Sequence, residues 1–111
     1  ISRLTALGAE IIAVPSAFTA VTGAAHFEVL IRARAIENAC FLVAACQSGG
    51  HDSGRETFGH SMVVSPWGEV LACLEAGPGV FVTTLDLQDL RRVRSALPSW
   101  RRPIIVDRAS V

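Results

Sequence analysis

Residues 10–46 read EIIAVPSAFTAVTGAAHFEVLIRARAIENACFLVAAC, and this stretch decides the fold class of the 111-residue chain. Two runs, Ile11–Val14 and Phe41–Cys46, are continuously apolar, which predicts strands covered on both faces. Residues 24–39, which lie between them, have the spacing of an amphipathic helix. A helix between two buried strands is the βαβ pattern. It predicts an α/β fold with a parallel or mixed sheet.

The helix over residues 24–39 carries the clearest local signals. Thr22 is predicted as its N-cap, after a loop over residues 18–23. Glu28 and Arg32 are four residues apart, in the order that favours an ion pair on an exposed face. The apolar positions recur at offsets of four, three and four residues and predict one buried stripe: Val29, Ala33, Ile36 and Cys40.

The remaining sequence adds elements on both sides of this unit. Residues 1–8 are predicted to be the end of a helix that stops at Gly8, and the polar, Gly-rich residues 47–60 are predicted to be a long functional loop. A meander of three antiparallel strands is predicted next, at residues 61–64, 70–74 and 80–85, with a turn at Ser65-Pro66-Trp67-Gly68. Asp86 is predicted to cap a last helix, residues 87–96, which Pro98 closes.

Composition limits the classes of function. Half of the residues are hydrophobic and ten basic residues balance ten acidic ones, so a folded domain is expected and nucleic acid or anionic lipid is disfavoured as a partner. The basic side chains near the end are predicted to form a solvated face: Arg91, Arg92, Arg94, Arg101 and Arg102. No apolar run approaches the roughly 20 residues of a membrane helix, and the opening Ile1-Ser2-Arg3 is not a secretory leader.

The three cysteines are odd in number and lack Cys-x-x-Cys spacing, which indicates reduced thiols and a cytoplasmic protein. Cys40 and Cys73 are predicted to be buried packing residues, and Cys46 is predicted to end a buried strand. A thiol enzyme that uses Cys46 with His51 or His60 stays open as a distant alternative.

Histidines could in principle hold a metal, but their spacing argues against it. His26, His51 and His60, taken with Cys46 and Asp52, match no tight pair of metal ligands. We therefore predict no metal site, and a structural or loop role for these side chains.

Several stretches resemble the nitrilase superfamily of carbon–nitrogen hydrolases, in the amidase branch that includes omega-amidase and the deaminated-glutathione amidases. They occur in family order and at family spacing from residue 1 to about residue 102: GAEII (8–12), PSAFT (15–19), TGAAHFE (22–28), RARAIEN (32–38), GHSMVV (59–64), PWGEVLA (66–72), and Val93-Arg94 followed by Leu97-Pro98.

This resemblance implies the C-terminal part of an α-β-β-α sandwich, with residues 1–111 as the C-terminal portion of a single domain. Family members hydrolyse small linear amides or nitriles with a Glu–Lys–Cys triad and no cofactor, and they pair through helices. The Cys precedes the helix that matches residues 1–8, and the Glu and Lys lie further upstream. No lysine or cysteine of this chain falls at those positions, so no catalytic residue is expected in it. The opening residues Ile1, Leu4 and Leu7, which form a helix without a cap, also indicate a chain cut from a longer one.

The resemblance also indicates where substrate binds. Ala17, Phe18 and Thr19, with His26 beyond them, should lie at the C-terminal end of the first strand, where ligands bind in such sheets. The alternative is that Phe18 merely caps the core.

Two hypotheses for function follow. In the first, the complete protein is an amidase that acts on a small amide, such as the omega-amide of a dicarboxylate, and forms homo-dimers; this chain supplies half of its sandwich. In the second, the chain is a non-catalytic remnant or oligomerisation module of the same fold.

Overall fold

The computed structural model describes residues 1–101. These residues form four α-helices, a π-helical turn, a 3₁₀ turn and six strands. Their bounds are, in chain order, α1 Ser2–Ala6, β1 Ile11–Ala13, α2 Ala20–Thr22, the π-helical turn Gly23–Phe27, α3 Glu28–Asn38, β2 Phe41–Ala44, β3 Ser48–Gly50, β4 Glu56–Phe58, β5 Ser61–Val64, β6 Val70–Leu74, α4 Leu87–Ala96 and the 3₁₀ turn Pro98–Trp100.

The main sheet confirms the predicted βαβ unit. Its strand order is β1-β2-β5-β6; β1 and β2 are parallel, with Ile12 beside Leu42, and the other neighbours are antiparallel. The turn between β5 and β6 is also as predicted: the Gly68 amide donates to the Ser65 carbonyl at 2.9 Å. Gly68 has a φ of +92°, a conformation that favours glycine.

One face of the sheet packs against α3 and forms the core. The buried members of this core are Ile12, Phe27, Ile31, Ala35, Cys40, Leu42, Ala44, Met62 and Val64. The predicted stripe on the helix was wrong, because Val29 is 68% exposed and Ile36 is 48% exposed. This helical region has apolar side chains on two sides. The side that faces the sheet carries Phe27, Ile31 and Ala35, which recur at intervals of four residues.

The start of this helical region also differs from the prediction. Thr19, rather than Thr22, is the N-cap, because its Oγ1 accepts from the Thr22 amide at 3.4 Å. Helix therefore begins at Ala20 and passes through a π-helical turn before α3. Within that turn Gly23 lies so close to Phe58 that a Cβ on Gly23 would overlap the aromatic side chain.

Two segments predicted from local pattern have other structures. Residues 47–60 are not simply a loop, since β3 and β4 form an antiparallel hairpin with Gly49 opposite Thr57. Residues 80–85 are not a strand, and Val80 and Val82 are 92% and 94% exposed. A strand needs a neighbour for its backbone groups, and within residues 1–101 nothing pairs with this segment.

The face of the sheet opposite α3 is apolar and partly open, since Phe41 and Val63 on this side are buried. We call its uncovered part the open face, and its members are Ile11, Ala13, Val43, Ala45 and Leu74. Ile11 is 47% exposed and Ala13 is exposed, so β1 is not covered on both sides as predicted, whereas Phe41, Leu42 and Ala44 of β2 are buried. Residues 79–83 and Leu85 line the remaining apolar groove on this side, whose volume is about 410 Å³.

Helix α4 begins as predicted, with the Asp86 carboxylate accepting from the Gln88 amide at 2.9 Å. Arg91 and Arg92 are exposed, as predicted for a solvated basic face. Arg94 is half-buried, so the prediction was wrong for this residue. Its Nε donates to the Ala39 carbonyl at 2.9 Å and its Nη2 donates to the Ala9 carbonyl at 2.8 Å. Arg102 lies outside the described residues. Nowhere in residues 1–101 is there a helix long and apolar enough to cross a membrane.

Candidate functional site

A polar cleft lies where the parallel strands β1 and β2 end. It consists of three contiguous cavities of about 670, 590 and 210 Å³ that share Gln47. We call it the strand-end cleft. Its walls come from the segment after β1, from the segment after β2 with the β3–β4 hairpin, and from residues 77–79.

Backbone pairing beyond the strand ends holds the first two walls together. The Ser16 amide donates to the Ala45 carbonyl, and the Gln47 amide donates to the Ser16 carbonyl, both at 3.0 Å. The Cys46 amide donates to the Ser61 hydroxyl at 2.9 Å. The position of Gln47 is therefore fixed by three neighbouring segments of the sheet.

The β3–β4 hairpin is fixed to the other side of the same segment. The Phe58 amide donates to the Phe18 carbonyl at 3.0 Å, and the Arg55 Nη2 donates to the Ala17 carbonyl at the same distance. These bonds bring Arg55 to the cleft, although it lies 38 positions along the chain from Ala17.

The predicted substrate-binding residues do not all meet in one place. Ala17 lines the cleft. Phe18 packs against Phe27, with ring centroids 5.2 Å apart, and is partly buried against the core. Thr19 uses its hydroxyl as the cap of α2, and His26 is exposed on the π-helical turn.

Sequence reasoning missed Gln47, His51 and Arg55 as cleft residues. A signal for Gln47 was present, because the residue that follows a strand lies at the same sheet edge as the residues that follow its parallel neighbour. Arg55 had no such signal, since only the pairing of β3 with β4 brings it back to this edge.

A hydrogen-bond chain fixes the tautomer of His51. The Thr57 hydroxyl donates to the Gly49 carbonyl at 3.2 Å, which uses its one proton. The His51 Nε2, 3.0 Å from the same Oγ1, must therefore be the donor. This hydrogen bond ties Nε2 of His51 to the hairpin, and no hydrogen bond within residues 1–101 joins the His51 ring to the Cys46 thiol.

None of the thiols is activated as a nucleophile. Burial raises the pKa of Cys46, and a hydrogen bond with the Ser61 side chain only partly opposes it. Burial raises the pKa of the Cys40 thiol to about 11. His60, the other base considered for Cys46, stacks on Phe58 at 3.7 Å and its Nδ1 lies 2.8 Å from the Phe58 carbonyl oxygen.

Cys40 is buried as predicted, but the prediction for Cys73 was wrong. Cys73 is exposed, because β6 is an edge strand whose outer side has no neighbour within residues 1–101. Burial and, after it, the carboxylates of Glu75 and Glu28 raise the pKa of the Cys73 thiol. At neutral pH each of the three thiols is therefore protonated.

Comparison with known proteins gives this arrangement a family. The model of the carbon–nitrogen hydrolase family matches residues 1–95. Deaminated glutathione amidase of Rattus norvegicus is 52% identical over 103 residues, which cover 91% of this chain and 32% of the relative. The chain thus spans about a third of the length of the curated relatives it matches.

Solved structures agree. Nit3 of Saccharomyces cerevisiae, a member of branch 10 of the nitrilase superfamily, superimposes with a TM-score of 0.80 at 29% identity, over 99% of this chain and 39% of the other. An amidase variant from Nesterenkonia sp. AN1, in which the acetamide moiety of fluoroacetamide is added covalently at the active-site cysteine, has a TM-score of 0.69 at 33% identity, over 86% of this chain and 35% of the other. The elements described above have the α-β-β-α fold of the nitrilase superfamily. The chain belongs to the carbon–nitrogen hydrolase family.

Proposed function

We propose that this chain is the non-catalytic part of an amidase that cleaves a small linear amide with a cysteine nucleophile. The Glu–Lys–Cys triad of that enzyme lies in a segment outside this chain, N-terminal to it, and residues 1–111 form the C-terminal portion of the same domain. The chemistry needs no cofactor, because the thiol itself forms the covalent intermediate.

The observation that carries this proposal is the open face. A sheet with one wet apolar face is unfavourable, because each large side chain left exposed forgoes about 1.5–3 kcal/mol of burial. Ile11, Val43 and Leu74 lie on this face without a full cover among residues 1–101. A second sheet of the sandwich, carried by the catalytic segment, is the layer that fits there.

The chemistry of the chain supports the same division. All ten of its basic residues are arginines, so the chain has no lysine for the triad. Its thiols have raised pKa values, whereas a nucleophilic cysteine needs its thiolate form. The three thiols are free, which suits a reducing compartment, and we place the enzyme in the cytoplasm.

We propose that the strand-end cleft is part of the substrate pocket. Ala17 contributes its wall, and Phe18 supports that wall from the core side. Thr19 and His26 lie further along the same segment and stay predictions from the resemblance.

A dimer interface is proposed on the outer side of α3. Val29, Ile36 and Trp67 are exposed there, and Trp67 adjoins Gly68, which packs on Ile36. The Arg32 Nε donates to the Gly68 carbonyl at 2.7 Å, which holds the β5–β6 turn against the helix. An apolar surface of this kind suits pairing of two copies.

The alternative is that the chain is a non-catalytic remnant or oligomerisation module. The exposed apolar side of α3 favours this reading as much as it favours the enzyme, since pairing needs no triad. Activity separates the two.

The test compares the chain alone with the chain joined to the N-terminal segment that its gene encodes. We expect the joined protein to hydrolyse small amides and the chain alone to release no ammonia above a buffer control. Cys46→Ala should leave the joined protein active. Hydrolysis by the chain alone that is lost in Cys46→Ala would overturn the proposal, and an inactive joined protein would decide for the remnant.

Substitution on the open face tests its partner. Val43→Glu places a charge on the face that the catalytic segment should cover, and it should prevent the two parts from co-purifying. Val21→Glu is the matched control, because Val21 is 81% exposed on α2. Equal co-purification of both variants would contradict the assignment of the open face.

A further inference from the structure

The segment over residues 80–85 has the side-chain pattern of a strand, although it pairs with nothing in residues 1–101. Its sequence VFVTTL has no charge and consists mainly of β-branched and aromatic residues, the types that favour strands. Every second side chain is partly buried, namely Phe81, Thr83 and Leu85. The side chains between them are exposed, namely Val80, Val82 and Thr84. This period of two is the alternation of a strand that is covered on one face.

The backbone of this segment is free to pair. No backbone hydrogen bond within residues 1–101 reaches residues 80–85. Each of these residues has an N–H donor and a C=O acceptor, since none is proline. A row of free backbone groups along an extended apolar segment is a template for a neighbouring strand.

The position of the segment shows where such a neighbour would lie. Its partly buried side chains line the apolar groove together with Val43, Val63 and Leu74 of the main sheet. Because the side chains of a strand point above and below its own sheet, the backbone groups of this segment point sideways, along a layer parallel to the main sheet. A strand that pairs with it therefore lies in the second β layer of the sandwich.

Both ends of the segment are fixed. Before it, Gly79 lies so close to Leu74 that a Cβ on Gly79 would be 2.9 Å from the Leu74 Cδ2. After it, Asp86 caps α4, and Arg94 binds that helix to the carbonyls of Ala9 and Ala39. A segment that is held at both ends loses less freedom when it pairs.

We infer that residues 80–85 are a strand of the second β layer and that their backbone pairs with a strand of the catalytic segment. The inference rests on the proposed function and names the contact by which the two parts join. The catalytic segment is the partner, because the chain spans about a third of the length of its curated relatives and a single strand does not make a sheet.

Hydrogen–deuterium exchange of the peptide over residues 79–86 tests this pairing in the joined protein and in the chain alone. We expect exchange to be slower in the joined protein by roughly 100-fold or more. The amides of β5 are the internal control, since they are paired in both forms. Free exchange of residues 80–85 in the joined protein would overturn the inference. Equal protection in the chain alone would also overturn it, and a dependence on concentration would then identify a second copy as the partner.

Proline variants separate backbone pairing from simple coverage. Val82→Pro and Thr83→Pro each remove one N–H, and the two N–H groups point to opposite edges of the strand. At least one of them should weaken co-purification of the two parts by about tenfold, the effect of one lost hydrogen bond. Val82→Thr and Thr83→Val keep the N–H and the β-branched shape and are the matched controls. Two proline variants that co-purify as well as these controls would refute the pairing.

The outcomes also separate this inference from the proposed function. A joined protein that hydrolyses small amides while residues 80–85 exchange freely refutes the strand and leaves the amidase. A joined protein that protects these residues but hydrolyses no amide supports the strand and decides against the amidase.

Discussion

Replacement of Arg94 should release helix α4 from the rest of the chain. This side chain links three segments that are far apart in sequence, because it binds the carbonyls of Ala9, before β1, and Ala39, after α3. Its guanidinium also lies 4.4 Å from the Trp100 ring centroid, and the Trp100 indole N–H donates to the Arg94 carbonyl at 3.2 Å. Arg94→Met keeps an apolar stem of similar length and removes the donors.

The magnitude follows from these contacts. A hydrogen bond to a charged group contributes about 1.5–3 kcal/mol, and an exposed cation–π contact about 0.5–1 kcal/mol. Arg94 is half-buried, so we take the lower end for both hydrogen bonds. The sum is about 3.5–4 kcal/mol. Ala39 is 1% exposed, so its carbonyl has little access to water as a substitute.

Hydrogen–deuterium exchange of residues 87–96 measures this effect as local opening, without requiring two-state unfolding of the whole protein. A loss of about 3.5–4 kcal/mol corresponds to exchange that is faster by roughly several hundred-fold. Arg91→Met is the matched control and should change exchange less than threefold. If Arg94→Met behaves like the control, the two carbonyl bonds do not hold the helix and the reasoning fails.

Three further predictions concern thiols and packing. The pKa of Cys40 rises from 9.0 to about 11 on folding, so the folded state keeps this proton to higher pH. Stability should be unaffected well below pH 9 and should fall by about 2 kcal/mol as pH rises to 11. Cys40→Ala should remove that slope in urea titrations, and parallel profiles would contradict the assignment. Gly23→Ala should destabilise the protein by about 1–3 kcal/mol through overpacking, whereas Gly50→Ala, with open space around it, should not; equal melting temperatures would refute the close approach. Glu75→Gln should speed alkylation of Cys73 at pH 8, because loss of the carboxylate lowers the pKa of the thiol; an unchanged rate would count against that influence.

Features that depend on neighbouring residues could be predicted from the sequence. Asp86 caps α4 because its own carboxylate reaches an amide two positions on, and the turn at Gly68 depends on one residue's conformation. The two strands of the βαβ unit could also be predicted, because a short run of apolar side chains bounded by polar residues is typical of a buried strand.

Features that depend on distant partners could not be predicted. Val29 and Ile36 form a more apolar stripe than Ile31 and Ala35, yet the second pair faces the sheet because of how α3 connects β1 to β2. The Gly-rich residues 48–58 lack the alternation of a strand, and their pairing exists because Phe58 and Arg55 bind the segment after β1. The same contacts create the strand-end cleft, which is why most of its residues were missed.

The open face and the strand-end cleft share a border, and this links folding to activity. Ala45, Ser61, Leu74 and Gly79 line both the apolar groove and the polar cavities beside it. We therefore expect a segment that covers the open face to border the strand-end cleft as well. Association with the catalytic segment would bury the apolar side chains and bring the nucleophile beside the bound substrate in one event. Val43→Glu should then abolish the association of the two parts and their activity together, whereas the matched control Val21→Glu should retain both. A Val43→Glu variant that loses association but keeps activity would contradict this link between the two surfaces.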